Sequence, residues 1–411
     1  MKRTIASRPR HILHTLLYLS LLLSIPACSP AVPDELEAPV PTEALPPATP
    51  SLPATTPTAT PESTGDDYPL PTWSRGNVQA PVVLTIYGDY QSSPAAEMVN
   101  LLDELLAMHP NEVKIEYRHF PLATIHDKSF IAVLAAEAAG RQGAFWAMHT
   151  WLYTNQSTWS ADTQEAFLER LFTAAEQLGL DRDSFETAMM DGALQADVEQ
   201  TFNHAINLGI LSIPYLDING EPFVLPATLS NLEAYTQLAL LATRQEDSYP
   251  PIDLAGDREW TATLVLDNGS EIVIQLFPDS APLAVNSFIH LASQGWFDNT
   301  GFYDVVPEVQ VEGGDPSHTG LGDAGYHFQT EIDPVRTFDE AGMVALIARG
   351  TDINSSNFFI TLAPRPELNG TRTIFGRVLE GLDQLQALPE RSSLEDILEP
   401  LPLHITSIIL R

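Results

Sequence analysis

Between Asn354 and Val378 the chain reads Asn-Ser-Ser-Asn-Phe-Phe-Ile-Thr-Leu-Ala-Pro-Arg-Pro-Glu-Leu-Asn-Gly-Thr-Arg-Thr-Ile-Phe-Gly-Arg-Val. Two apolar, β-prone runs, Phe358–Leu362 and Thr373–Val378, flank a proline-bounded loop that ends in Asn369-Gly370. This pattern predicts strand, loop and strand, and few folds accept it except as part of a larger sheet. Its surroundings repeat the signal. Thr261–Leu266 and Glu271–Phe277 alternate on either side of Asp267-Asn268-Gly269-Ser270, a hairpin pattern. Further strands are expected at Phe302–Val306, Val309–Glu312, Gly342–Ile347, Asn357–Leu362 and His404–Leu410. Pro282–Gln294 carries Val285, Phe288, Ile289 and Leu291 at helical spacing and is capped by Gly295, and Glu380–Ala387 reads as a second, short helix. Roughly eight strands with two helices predict an all-β closed antiparallel barrel over residues 260–411.

Upstream the rhythm is different. Val82–Tyr87 and Val113–Tyr117 read as strands around a helix at Pro94–Met108, whose apolar residues Met98, Leu101, Leu102, Leu105 and Leu106 share one face. Pro94 suits the first turn of that helix. A long helical stretch at Ser129–Tyr153 follows, then helices near Ala161–Leu178, Arg182–Met190 and Gln195–Asn207. A strand at Ile213–Ile218, turned by Asn219-Gly220, and a helix at Leu229–Thr243 complete an α/β unit over residues 68–245. Residues 246–259, with Pro250-Pro251 and several acidic side chains, read as a linker.

Residues 260–411 resemble the cyclophilins, the peptidyl-prolyl isomerases. The resemblance rests on Glu271-Ile-Val-Ile-Gln-Leu-Phe-Pro278, Ala281-Pro282, Asn286-Ser-Phe288, Gly313-Gly314-Asp315-Pro316, Phe358-Phe-Ile-Thr361 and Phe375-Gly376-Arg377-Val378. An X-Pro isomerase must lower an amide rotation barrier of ~18–20 kcal/mol. It does so with an apolar seat for the ring, hydrogen bonds to the flanking backbone, and a cationic donor aimed at the prolyl nitrogen. The resemblance places the donor arginine at Asp304, and an ionised carboxylate has no proton to donate. It also implies a peptide-binding set of Val309, Gln310, Glu312, Ile347, Asn357, Phe359 and Leu368. There Val309 replaces a phenylalanine, Gln310 a methionine, Glu312 a substrate-holding glutamine and Ile347 an alanine, whereas Phe359 and Leu368 match. Glu367 stands at a tryptophan position and Arg372 at a histidine position. Arg372 or Arg349 is the candidate substitute cation. Loss of one such donor typically costs ~10²–10³ in rate, so weak isomerisation is expected.

Residues 68–245 resemble thioredoxin-fold proteins of the DsbA type, with a helical insertion. The matching blocks are Gly88-Asp89-Tyr90-Gln91, Tyr117-Arg118-His119-Phe120-Pro121-Leu122, Ala135-Ala136-Glu137-Ala138-Ala139 and Gly143-Ala144-Phe145-Trp146-Ala147-Met148-His149, with Ile213-Pro214 at the family's cis-proline. Where the family has Cys-x-x-Cys, this chain has Ser92-Ser93-Pro94-Ala95. The site Ser92, Ala95 and Pro214 is therefore a degenerate redox site, and thiol–disulfide exchange is excluded by chemistry. A helix-capping role is expected for Ser92 or Ser93.

The lone cysteine of the chain, Cys28, follows a basic start and the apolar run Leu16–Leu23. Residues 1–28 resemble a bacterial lipoprotein signal whose cysteine accepts lipid, because the apolar run is too short to span ~30 Å of hydrocarbon. Residues 29–67 are a Pro/Thr-rich tether without a core-forming composition. The 411 residues hold 20 Lys and Arg against 54 Asp and Glu, a net charge of −34. Removing Lys2, Arg3, Arg8 and Arg10 leaves 16 basic residues and −38. Such a field disfavours nucleic acid as a partner. No cofactor or metal cluster is expected. The expected protein is an extracytoplasmic, lipid-anchored member of the isomerase family that meets proline-containing peptides or unfolded proteins. The alternative is a non-catalytic binding lipoprotein built from two degenerate enzyme folds.

Overall fold

The computed structural model describes residues 68–254, 259–348, 350 and 353–411. Cys28, the signal, the tether and Arg349 lie outside the described residues. Among those described, no helix is long and apolar enough to cross a membrane.

The first sheet has the order β1-β3-β2-β4-β5. Its strands are β1 (Trp73–Gly76), β2 (Val82–Gly88), β3 (Val113–His119), β4 (Tyr215–Ile218) and β5 (Glu221–Pro222). β2 and β3 run parallel and the other pairs are antiparallel. Val82, Leu84, Ile86, Val113 and Ile115 are buried, as central strands covered on both faces require. The helices are α1 (Ser93–Met108), α2 (Ser129–Gly140), α3 (Phe145–Thr154), α4 (Gln156–Trp159), α5 (Gln164–Gln177), α6 (Arg182–Met189), α7 (Gly192–Asn207) and α8 (Leu229–Leu241). The single long helix expected from 129 to 153 is two helices. Gly143 takes φ +77°, a left-handed turn that ends α2. Gly140 is forced by packing, since a Cβ there would stand 2.4 Å from the Trp73 ring. That ring lies flat on Phe145 at 4.4 Å and donates its indole N–H to Glu137 at 2.7 Å. β1, which carries Trp73, has no strong local strand signal and forms by pairing with β3.

The second sheet has nine strands in the order β8-β14-β6-β7-β13-β11-β12-β10-β9. They are β6 (Thr261–Leu266), β7 (Glu271–Leu276), β8 (Thr300–Gly301), β9 (Asp304–Val306), β10 (Gln310–Gly313), β11 (Met343–Leu346), β12 (Phe358–Thr361), β13 (Ile374–Glu380) and β14 (His404–Leu410). Helix α9 (Pro282–Ser293) packs inside the curl and α10 (Leu382–Gln386) at its end. Alternate residues Ala262, Leu264, Leu266, Ile272, Ile274 and Leu276 meet Val285, Phe288 and Leu291 of α9. The closed barrel expected from the strand count is corrected here: the sheet is a curled half-barrel. Of the stretch 302–306, expected as one strand, only Asp304–Val306 is strand β9; with β8 before it, the run 300–306 crosses the seam through Phe302-Tyr303. Consecutive pieces of one run without a reversal cannot pair with each other, so no ladder closes the sheet.

The two sheets are joined by exchanged side chains. Leu241, from α8, belongs to the second core, and Leu321 packs against the first. Between them Arg244 donates to the carbonyls of Gly295 and Trp296 at 3.2 and 2.9 Å and lies over the Trp296 ring. The Glu246 amide donates to Ala324 O at 2.9 Å. Tyr249 then donates to Leu283 O at 2.7 Å, laying the following stretch along α9. Leu241→Ala is expected to cost about 2–4 kcal/mol, read as a lower urea midpoint by tryptophan fluorescence. Leu211→Ala, at an 83% exposed position, is the control and should shift it little.

Candidate functional site

Strand β10 sits between β9 and β12, and its register sets the site. Glu312 stands opposite Asp304 on one side and opposite Phe359 on the other, and Phe359 stands opposite Ala345 of β11. Residues directly opposite in antiparallel strands point to the same face. Asp304, Glu312, Phe359 and Ala345 therefore form one row across four strands.

Phe359 belongs to a small apolar cluster apart from the main core, with Phe277, Phe338, Met343, Ala345 and Ile374, flanked by Ile347 and Leu368. It stacks on Phe338 at 5.8 Å and 16°. Over this cluster opens a cavity of about 210 Å³ lined by Gln310, Glu312, Ile347, Phe359, Arg365, Leu368 and Arg372. Six of the residues anticipated from sequence (Gln310, Glu312, Ile347, Phe359, Leu368 and Arg372) are thus brought together. Asp304 lies one strand beyond Glu312, half-buried, with the Ser393 amide 3.5 Å from its carboxylate.

Two anticipated residues are placed elsewhere. Asn357 is buried, and its amide reaches Gly320 O at 3.5 Å rather than the cavity. Val309 sits in the turn between β9 and β10, where its N–H donates to Val306 O, and it is not part of the cavity wall. Sequence reading missed Arg365. It lies between Pro364 and Pro366, and its only signal was a cation in the loop leaving β12. Its guanidinium donates to Gln310 Oε1 at 3.1 Å and pairs with Glu367. Gln310 in turn donates to Glu312 Oε1 at 2.7 Å, so a guanidinium, a carboxamide and a carboxylate form a chain along the wall.

Burial pushes the Glu312 carboxyl up to about 7, the negative Asp304 beside it adds to the rise, and the Gln310 hydrogen bond opposes it. Burial also raises Asp304 above the usual carboxylate range. At neutral pH Glu312 is therefore divided between a carboxylate and a neutral acid. The neutral acid presents one O–H donor and one carbonyl acceptor, the inventory of a carboxamide.

In the first unit Ser92 is the N-cap of α1, and its hydroxyl accepts the Ala95 amide at 3.4 Å. Asp89 holds the loop before it, accepting the Gln91 and Leu122 amides at 2.7 and 2.8 Å and a His126 contact at 2.9 Å. His119 is tied to Glu137 at 2.8 Å. Both nearby histidines are thus held by carboxylates. The Ile213–Pro214 bond is cis, and Ala95 is buried beneath Ser92. Among the described residues no cluster of three metal-ligating side chains occurs.

The fold and site define a two-unit protein with a thioredoxin-like half and a peptidyl-prolyl isomerase-like half. Residues 70–237 match the thioredoxin family model, and residues 262–408 match the model described as cyclophilin type peptidyl-prolyl cis-trans isomerase/CLD. The chain is 38% identical over 132 residues to peptidyl-prolyl cis-trans isomerase-like 1 of Gibberella zeae, a match covering 31% of this chain and 82% of that protein. It is 37% identical over 123 residues to peptidyl-prolyl cis-trans isomerase B of Bacillus subtilis, covering 30% and 86%. A crystal structure of a Cryptosporidium parvum cyclophilin type isomerase is 29% identical, covers 38% of this chain and 98% of that one, and superposes with a TM-score of 0.34. This chain belongs to the cyclophilin-type peptidyl-prolyl cis-trans isomerase family through its C-terminal half.

The raised Glu312 carboxyl has a consequence for stability. An acid whose native pKa lies near 7, against ~4.3 unfolded, favours folding below the lower value. That contribution is lost as pH rises through the higher value. Between pH 5 and pH 8 the wild-type chain should lose on the order of 2–3 kcal/mol through this group. Glu312→Gln should remove that share of the loss in pH-dependent urea unfolding, stabilising the chain at pH 8 but not at pH 5.

Proposed function

We propose that this protein binds proline-containing segments of extracytoplasmic proteins in the β10–β12 groove and isomerises their X-Pro bonds slowly. The observation that carries the reading is the row Asp304–Glu312–Phe359 beside an apolar-floored cavity. Phe359, Leu368 and Ile347 offer a seat for a proline ring. Gln310 and Glu312 offer hydrogen bonds to the flanking backbone. Where a cation would stabilise the twisted amide, Asp304 supplies a carboxylate, and a negative charge opposes localisation of the nitrogen lone pair.

The neutral form of Glu312 restores a donor on this wall. Isomerisation is therefore faster in mild acid than in mild base, with Asp304, Glu312, Glu367, Arg365 and Arg372 the charged groups around the groove. A second reading, a purely binding protein, is supported by the loss of key groups at both sites: Asp304 here, and Ser92 and Ala95 in the thioredoxin-like half. Neither position in the first half can form a mixed disulfide. Residues 1–28 with Cys28 support a lipid anchor, and residues 29–67 a spacer that holds the folded halves off the membrane.

The test is the cis/trans exchange rate of an uncharged, blocked Ala-Pro peptide measured by exchange NMR with the full chain. Slow catalysis that rises between pH 8 and pH 5.5 and flattens in Glu312→Gln is expected. Asp304→Arg should raise the rate about 10- to 100-fold. Binding without exchange at any pH would select the second reading, and absence of both would overturn the assignment of the groove. Membrane attachment is checked separately: Cys28→Ser should move the protein from the detergent phase to the aqueous phase.

A further inference from the structure

The two guanidiniums on the cavity wall differ in what they hold. Arg365 is occupied by Glu367 and Gln310. Arg372 donates to the carbonyl of its neighbour Thr371 at 3.0 Å, and among the described residues it has no carboxylate partner. Arg244, Arg336 and Arg391 likewise show no carboxylate partner, but they are engaged by distant backbone carbonyls, a hydroxyl or an aromatic ring. Arg75, Arg141, Arg170, Arg182 and Arg377 each hold a carboxylate. Arg372 is half-buried, and it lines a cavity whose floor is Phe359 and Leu368. A guanidinium presents a planar fork of N–H donors that fits a carboxylate with two parallel hydrogen bonds.

We propose that Arg372 anchors a carboxylate carried by the bound peptide, so that the groove prefers proline segments with an acidic group beside the proline. This rests on the proline-peptide reading above. The proline ring and the carboxylate enter one cavity of about 210 Å³. Consecutive Cα atoms lie ~3.8 Å apart, so the acidic group belongs to a residue next to the proline or to the peptide's own C-terminus. Glu312 lines the same cavity, with Asp304 beside it on the next strand. A ligand carboxylate next to those two groups would meet like charge, whereas one paired with Arg372 meets a cation.

The experiment is an NMR shift titration of the full chain at pH 7 and low salt. The ligands are acetyl-Ala-Pro-Asp-amide, acetyl-Asp-Pro-Ala-amide, their Asn counterparts, acetyl-Ala-Pro-Lys-amide, and acetyl-Ala-Pro-Asn with a free C-terminus. At least one acidic peptide should bind about three- to tenfold tighter than its Asn counterpart, and the preference should shrink as salt is added. Arg372→Gln should bring the ratio of acidic-peptide to Asn-peptide affinity to about one, while Arg372→Lys keeps part of the preference. The free-acid arm separates a C-terminal carboxylate from a side chain. Among the described residues Arg372 bonds only the neighbouring Thr371 carbonyl, and an unchanged urea midpoint by tryptophan fluorescence reports that the variant is folded. Equal binding of acidic and Asn peptides, tighter binding of the Lys peptide, or a preference that survives Arg372→Gln would overturn the anchor while leaving peptide binding standing. Failure of every peptide to bind would overturn peptide binding itself, and the anchor with it.

Discussion

Glu312 lies opposite Asp304 on one side and opposite Phe359 on the other, and the groove hangs on that double register. Side chains alternate with a period of two along a strand, so a slip of one residue would turn Glu312 away and bring Val311 to the groove. Val311 is instead fully buried in the main core, opposite Ile360. The slip would cost the burial of both, and the core thereby pins the site. The same register sets two carboxyls side by side on neighbouring strands, which raises the proton affinity of Glu312.

Charge in this groove runs against the charge of the chain. The net −34 surrounds a cavity whose wall carries two guanidiniums, one already neutralised by Glu367. Long-range attraction in such a field favours cations, while the local fork at Arg372 favours an anion. At contact distance the local term dominates, because exposed charges more than ~10 Å away are screened at ordinary salt. The cavity thus holds both signs of charge, Glu312 and the guanidiniums of Arg365 and Arg372.

In the thioredoxin-like unit the buried polar groups pair with one another. Tyr90, Tyr117, Tyr153 and His149 pack below the Ser92 cap, linked by a Tyr117–Tyr153 contact of 2.8 Å and a Tyr90–His149 contact of 3.1 Å. Burial raises all three tyrosine hydroxyls above their ordinary values, so the cluster stays neutral. Glu137 is held by Trp73 and His119, and Gln156 donates to the carbonyls of Tyr90 and Ser92 at 2.7 and 2.9 Å. These contacts satisfy buried polar groups, a need that does not depend on sulfur chemistry.

Much of the fold was legible in the sequence because it is local. The alternation on either side of Asp267-Asn268-Gly269-Ser270, the helix opened by Pro94 and the Gly295 stop all depend on neighbours a few residues away. Residue identity is legible too: Ser92 and Ala95 carry no thiol and Asp304 no guanidinium. What failed depended on remote partners. Residue 140 is glycine because Trp73 packs against it from β1, and the sheet stays open because one run crosses from its first edge to its last. Arg365 entered the site, and Asn357 and Val309 left its wall, through contacts across loops. The sequence by itself determined most of the helices and the hairpin of the second sheet, and that no thiol stands at Ser92 or Ala95. Only the tertiary structure decided that burial raises the Glu312 carboxyl to about 7 and that Arg372, among the described residues, holds no carboxylate, because desolvation and pairing are set by groups far apart in the chain.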